Sequence, residues 1–137
     1  MELISTLHLE QPYIRQYEEL LEESNKEDFF YGEGLNHMKE RVVVITDDMV
    51  VGFFEPGTTQ FEGKSYFRTN RPYTRKSVRG NHLMRDALIQ WYKGRCPGLA
   101  WIDDQNVSSI RLFQAIGFVK SKPFFHKKRD GHFYLLG

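Results

Sequence analysis

Apolar and polar residues alternate from Glu2 to Leu9, with Leu3, Ser5, Leu7 and Leu9 on one side, which predicts a first strand. Pro12 suits the first turn of a following helix. Ile14, Tyr17 and Leu21 form the apolar stripe of that helix, Glu18, Glu19, Glu22 and Glu23 occupy its flanks, and it ends near Ser24-Asn25. Phe29 to Lys39 reads either as a second, shorter helix or, because of Gly32 and Gly34, as a mobile entrance to a site.

Two β-branched runs, Arg41–Thr46 and Met49–Phe54, flank the acidic pair Asp47-Asp48 and predict a hairpin that ends at Pro56-Gly57. A loop to Gly63 follows, then a strand over Ser65–Thr74 in which Pro72 requires an edge, a bulge or a break in pairing. Leu83, Ala87, Leu88 and Trp91 repeat at helical spacing after a basic turn containing Gly80. Leu99–Asp104 is an apolar run bounded by Pro97-Gly98 and Asn106, and predicts a short strand. From Asn106 to Phe118, Ile110, Phe113 and Ile116 predict an amphipathic helix capped by Asn106 or Ser108 and closed by Gly117, with a strand on either side. The tail predicts a last hairpin turning at Asp130-Gly131.

With 137 residues, 40% hydrophobic, this is one α/β (α+β) domain spanning 1–137, with a core of ordinary size. No apolar run reaches the ~18 residues of a membrane span, and the first residues lack a signal-peptide pattern, so a cytoplasmic protein is expected. Cys96 is the only cysteine, beside the Pro97-Gly98 turn, and the five histidines share no helical face, so neither a disulfide nor a metal site is expected. The net charge of +1 hides a division: residues 1–62 hold 14 acids and 4 bases, residues 63–137 hold 15 bases and 4 acids. The later part either faces something anionic or complements the earlier part within the domain.

A helix start offers unpaired N–H groups and the positive end of a dipole, so the turn before Leu83, with Arg75, Lys76 and Arg79, is a candidate phosphate seat. The alternative is a solvated basic turn. Asp103 and Asp104, at the end of the Leu99–Asp104 strand, are candidate bases or else caps for the next helix. Asn106 is either a cofactor-facing amide or a cap. Tyr66, Phe67, Tyr73 and Phe125, interleaved with cations, offer a weaker third option: stacking on nucleic acid, or simply core.

The order of elements and two motifs resemble the GNAT superfamily of acyl-CoA N-acyltransferases. Arg79-Gly80-Asn81-His82-Leu83-Met84 is similar to its Arg-Gly-x-Gly-x-Gly pyrophosphate loop, and Asn106 through Gly117-Phe118 to its Asn-x-x-Ser/Ala... Gly-Phe segment. The resemblance implies a mixed, bent central sheet flanked by helices, with acetyl-CoA entering where the fourth and fifth strands splay. It also implies cofactor contacts at Tyr73, Thr74, Arg79, Gly80, Asn81, His82, Leu83, Met84 and Asn106, and transfer of an acetyl group to an amine of a small molecule, protein or nucleobase. Within the loop, His82 and Met84 replace glycines. Phe113 matches the tyrosine that many relatives use as proton donor, so a general acid comes from elsewhere, is water, or is absent. Trp101... Asn106-x-Ser-Ser-Ile-Arg-Leu-Phe... Ile116-Gly117 and Arg129-Asp-Gly-His-Phe133 further resemble small phage-encoded GNAT-like proteins, including an internal virion protein of short-tailed phages. That implies a bacteriophage origin, location in the host cytoplasm or the virion, and, as an alternative to catalysis, an inactive GNAT-fold protein acting in virion assembly, DNA ejection or binding of a host factor.

Overall fold

The computed structural model describes residues 1–27 and 39–137. Its strands and α-helices are β1 (Glu2–Ser5), α1 (Tyr13–Asn25), β2 (Val42–Thr46), β3 (Met49–Phe61), β4 (Lys64–Thr74), α2 (Leu83–Tyr92), β5 (Gly98–Asp103), α3 (Val107–Ile116), β6 (Val119–His126) and β7 (Arg129–Leu136). The strands form one mixed sheet in the order β1-β2-β3-β4-β5-β7-β6, in which β4 and β5 pair parallel while β1 and β2, β2 and β3, β5 and β7, and β6 and β7 pair antiparallel. The class is thus α+β, with a mixed sheet and, among the described residues, three α-helices, the class that the patterning and the resemblance predict. Among the described residues no helix is long and apolar enough to cross a membrane. The helix or mobile entrance expected over Phe29–Lys39 lies outside the described residues, apart from Lys39.

The chain divides into two compact units, Met1–Pro56 with Asn70–Ala87 and Gly57–Thr69 with Leu88–Gly137. In the first, α1 turns Tyr17, Leu20, Leu21 and Ser24 inward. Tyr17, Leu20 and Leu21 meet Val43, Ile45, Val50 and Phe53 of the β2–β3 hairpin and Tyr73 of β4. Phe53 joins these layers, edge-on to Tyr17 and stacked on Tyr73, each at 5.7 Å between ring centroids. The hairpin turns at Asp47-Asp48, whose φ values of 50° and 59° give the mirror-image turn that matches strand twist. Arg41 is fully buried; it donates to the Tyr17 hydroxyl at 2.8 Å and lies 3.6 Å from the Glu55 carboxylate. Removing either member of such a buried pair typically costs about 3–5 kcal/mol, because the other charge is left in the core.

Three boundaries differ from the sequence expectation. β1 stops at Ser5, because the Ser5 hydroxyl accepts from the Leu7 N–H and starts a 3-10 turn over Thr6–His8. β3 does not end at Pro56-Gly57 but runs to Phe61. Its pairing with β2 reaches only Phe54, opposite Val42, so the missing N–H of Pro56 faces no β2 carbonyl. Within β4, the left-handed backbone of Arg71 (φ 49°) supplies the irregularity that Pro72 demands.

The third difference lies in the second unit. The last hairpin turns at Lys127-Lys128, with φ of 50° and 62°, while Asp130 and Gly131 lie inside β7. Gly131 is opposite Asp103 of β5, and a Cβ there would sit 2.5 Å from the Trp101 ring and 2.7 Å from the Ile102 carbonyl. The glycine admits the indole; it does not make a turn. Trp101 in turn donates its ring N–H to the Phe124 carbonyl at 2.9 Å, tying β5 to β6. Gly131→Ala is therefore expected to destabilise the protein by about 1–3 kcal/mol through overpacking, measured by urea denaturation.

Candidate active site

In the first unit, the segment from β4 to α2 carries most of the residues predicted to face a cofactor. The left-handed conformation that a glycine-rich loop would use survives the loss of glycine: Gly80 has φ 92° and His82 has φ 58°. The His82 carbonyl accepts from the Asp86 N–H at 3.0 Å, closing the first turn of α2, and the Asn81 amide donates to the Val78 carbonyl at 3.0 Å. His82 and Asn81 are exposed, and Leu83 is half-buried. Met84 is buried, and its terminal methyl lies 2.9 Å from where a Cβ on Gly52 would stand. The methionine that replaces a third loop glycine thus turns into the core of its own unit, against a glycine on β3.

The basic residues of this segment are held in place by a carboxylate just past the end of α1. Arg79 pairs with Glu27 at 3.0 Å, donates to the Thr74 carbonyl at 2.9 Å and lies over the Tyr73 ring at 5.1 Å from its centroid. Lys76 reaches the same Glu27 oxygen at 3.4 Å. The Tyr73 hydroxyl stands 2.8 Å from Glu23 and 3.0 Å from Glu27, with one proton to share between them. Burial first, and then these two carboxylates, push the Tyr73 phenol far above its usual range. Burial works against the charge on Glu27 too, but the Tyr73 hydroxyl, Arg79 and Lys76 outweigh it and hold its carboxyl below the usual value. Arg75 donates from its main chain to the Val51 carbonyl at 2.7 Å and from its side chain to the Val50 carbonyl at 3.0 Å, fastening the start of the turn to β3.

The second unit holds the remaining predicted residues. Asp103 is buried, accepts from the Gln105 N–H at 2.9 Å and pairs with Arg129 at 3.3 Å. Asp104 is exposed and lies 2.6 Å from Nδ1 of His132 on β7. Asn106 caps α3, its side-chain oxygen accepting from the Ser109 N–H at 3.3 Å and from the Ser108 hydroxyl at 3.2 Å. Gly117 closes the helix with φ 120°. Phe113 is buried edge-on to Phe118 at 5.1 Å, and Phe118 packs on Tyr92 at 5.3 Å. Burial pushes the Tyr92 phenol up to about 12, while the Thr69 hydroxyl at 2.9 Å opposes that shift.

Sequence reading missed Glu23, Glu27 and His132. The two glutamates had a signal, since acids four residues apart toward the end of α1 belong to the negative part of a chain whose following turn is basic. His132 had none, because its meeting with Asp104 depends on the register that sets Asp103 against Gly131.

No protein-family model and no curated protein matches the chain. Solved structures do. An acetyltransferase of the GNAT family from Streptococcus agalactiae aligns with a TM-score of 0.72 at 17% identity, over 98% of this chain and 94% of its own. The yncA protein of Salmonella typhimurium, whose structure holds its cofactor acetyl-CoA, gives 0.64 at 17% identity over 99% and 94%. A GNAT-family protein from Bordetella pertussis gives 0.55 at 13% identity over 72% of this chain, which spans only 64% of that protein. At these identities the likeness defines the fold, and the chain has the fold of the GNAT acetyltransferases.

Two outcomes test this geometry. His82→Val, which puts a β-branched residue at a positive φ, is expected to lower stability by about 1–2 kcal/mol, whereas His82→Gly leaves it unchanged or higher, as urea denaturation will show. Because the Glu27 carboxyl is held below its ordinary value, its contribution is complete above the unfolded-state pKa of about 4.3 and is lost as pH falls through the folded-state value. Glu27→Gln should flatten that acid limb of the stability profile.

Proposed function

We propose that residues 1–137 act as one acyltransferase domain that moves an acetyl group from acetyl-CoA to an amine. The observation that carries this reading is the turn from Arg79 to Leu83. Its left-handed positions at Gly80 and His82 deliver the chain into α2 with Met84 withdrawn into the core, which leaves the helix start clear of that side chain. Such a turn, bordered by Arg75, Lys76 and Arg79, suits a pyrophosphate. The shared fold with yncA, which holds acetyl-CoA, supports the same cofactor.

In this reading Arg79, Gly80, Asn81, His82, Leu83 and Met84 hold the pyrophosphate, chiefly through backbone N–H groups. Tyr73 and Thr74 on β4 take the arm; for Asn106 a cofactor contact is carried by the resemblance alone. When bound, acetyl-CoA supplies a thioester carbonyl open to attack by an amine. The β4 main chain polarises that carbonyl. Of the two carboxylates predicted as bases, Asp104 is the one that takes part, through His132. Asp103 is already engaged by Arg129 and the Gln105 N–H, whereas Asp104 is exposed and aligned on His132. The imidazole then accepts the amine's proton and Asp104 stabilises the resulting cation, a division of labour familiar from other Asp–His pairs. Phe113 has no proton to give, so the acid of this reading is solvent water.

The acceptor is an amine of a small molecule, protein or nucleobase, and the first unit, with 14 acidic and 9 basic residues, suits a cationic one. The phage-type character, with the host cytoplasm as location and a virion or host protein as partner, is carried by the resemblance over Trp101 to Phe133.

Isothermal titration should show acetyl-CoA binding in the micromolar to millimolar range, weakened about tenfold or more by Arg79→Ala. With an amine acceptor, His132→Gln should lower kcat about 100-fold or more while leaving the affinity for acetyl-CoA unchanged. Absence of binding by the unmodified protein overturns the reading; full activity of the His132 variant overturns the assignment of the base.

A further inference from the structure

The second unit carries an aromatic stripe that acyl transfer does not use. Six rings follow one another across four neighbouring strand segments and the edge strand: Tyr66, Phe61, Phe133, Phe124, His126 and Trp101. Successive centroids are 6.1, 4.6, 5.0, 6.0 and 5.0 Å apart. A core stripe would be closed to water, but none of these six residues is buried, and Phe124 is 46% exposed. Beyond it, all nine residues from Lys122 to Asp130 are exposed. Within this run Phe124 lies on the stripe and Phe125, the next residue of β6, projects from the opposite face with 65% exposure, so large rings stay open to water here.

Cations border the stripe. Lys64 lies over the Tyr66 ring at 5.8 Å, Lys122 pairs with Glu62 beside Phe61, and Lys127 and Lys128 form the hairpin tip. Carboxylates offset part of this charge, with Asp103 on Arg129 and Asp104 on His132. Even so, the unit holds 10 basic residues against 4 acidic ones, a net +6 in a chain whose total is +1.

We propose that this stripe binds single-stranded nucleic acid, whose bases stack on the exposed rings while its phosphates meet the bordering lysines. Base faces suit aromatic rings whatever the sequence, and a polyanion suits the charge of this unit. A duplex fits poorly, since its base faces are already stacked on each other. A second copy of the chain fits poorly too: β6 is the edge strand of the sheet, and Lys120, Lys122 and Pro123 oppose its pairing with an identical edge. This surface does not depend on acetyl transfer.

Fluorescence anisotropy of a labelled oligothymidine titrated with the full chain tests the proposal, with a duplex of the same length alongside. The single strand should bind at low salt and lose affinity as salt rises, quench the half-buried Trp101, and outcompete the duplex. Phe124→Leu, which keeps apolar surface but removes the ring, should weaken binding about tenfold, and His126→Ala at an exposed position should weaken it several-fold. Lys128→Glu should reduce the salt slope. Three results would overturn the proposal: no change in anisotropy at low salt; equal binding of duplex and single strand, indifferent to Phe124→Leu; or sedimentation as a dimer that Phe124→Leu dissociates, which would assign the face to self-association.

Discussion

A close approach at Gly52 underlies the candidate cofactor turn. A Cβ at this position would lie 2.6 Å from the Tyr73 carbonyl and 2.9 Å from the Met84 methyl, so β3, the end of β4 and the start of α2 meet at one point that only glycine leaves open. The two main-chain carbonyls before it, of Val50 and Val51, accept from Arg75. The turn between β4 and α2 is therefore clamped at both ends against the same three residues of β3. That clamp explains why His82 can hold a conformation that a free histidine would avoid: the backbone is set by its anchors, and the side chain at position 82 merely tolerates it.

Electrostatics complete the arrangement in the first unit. Arg79 and Lys76 are presented by the turn but oriented by Glu27, and Tyr73 is locked as a neutral donor between Glu23 and Glu27. A cationic turn without these acids would leave its long side chains free to wander. With them, the guanidinium of Arg79 lies over a ring and is bonded to a carbonyl, so little further ordering remains to be lost on meeting a phosphate.

Much of this was legible in the sequence because it is local. Periodicity located α1, α2 and α3 to within a residue or two, and the caps of α3 at Asn106 and Gly117 act as their chemistry suggests. Pairing over distance was less legible. Pro56 reads as a breaker, yet it is harmless because β2 begins only at Val42, opposite Phe54, and nothing near Pro56 reveals where β2 begins. Asp130-Gly131 reads as a turn, yet Trp101, thirty residues earlier, claims the glycine. The candidate site divides in the same way: the loop motif was visible as a motif, whereas the Asp104–His132 contact and the Glu27–Arg79 pair exist only after strands and helices have met.

The lysine pair at the tip of the last hairpin has a consequence for how the strands find each other. Two adjacent cations in left-handed backbone form a poor nucleus, costing about 1–2 kcal/mol per residue relative to glycine and repelling one another. Local sequence therefore contributes little to aligning β6 with β7. The alignment falls instead to Trp101, seated on Gly131 thirty residues later and bonded to Phe124 twenty-three residues later. Such a hairpin has high contact order: its register is dictated by the sheet it joins, and it gains order from the strand side toward its tip.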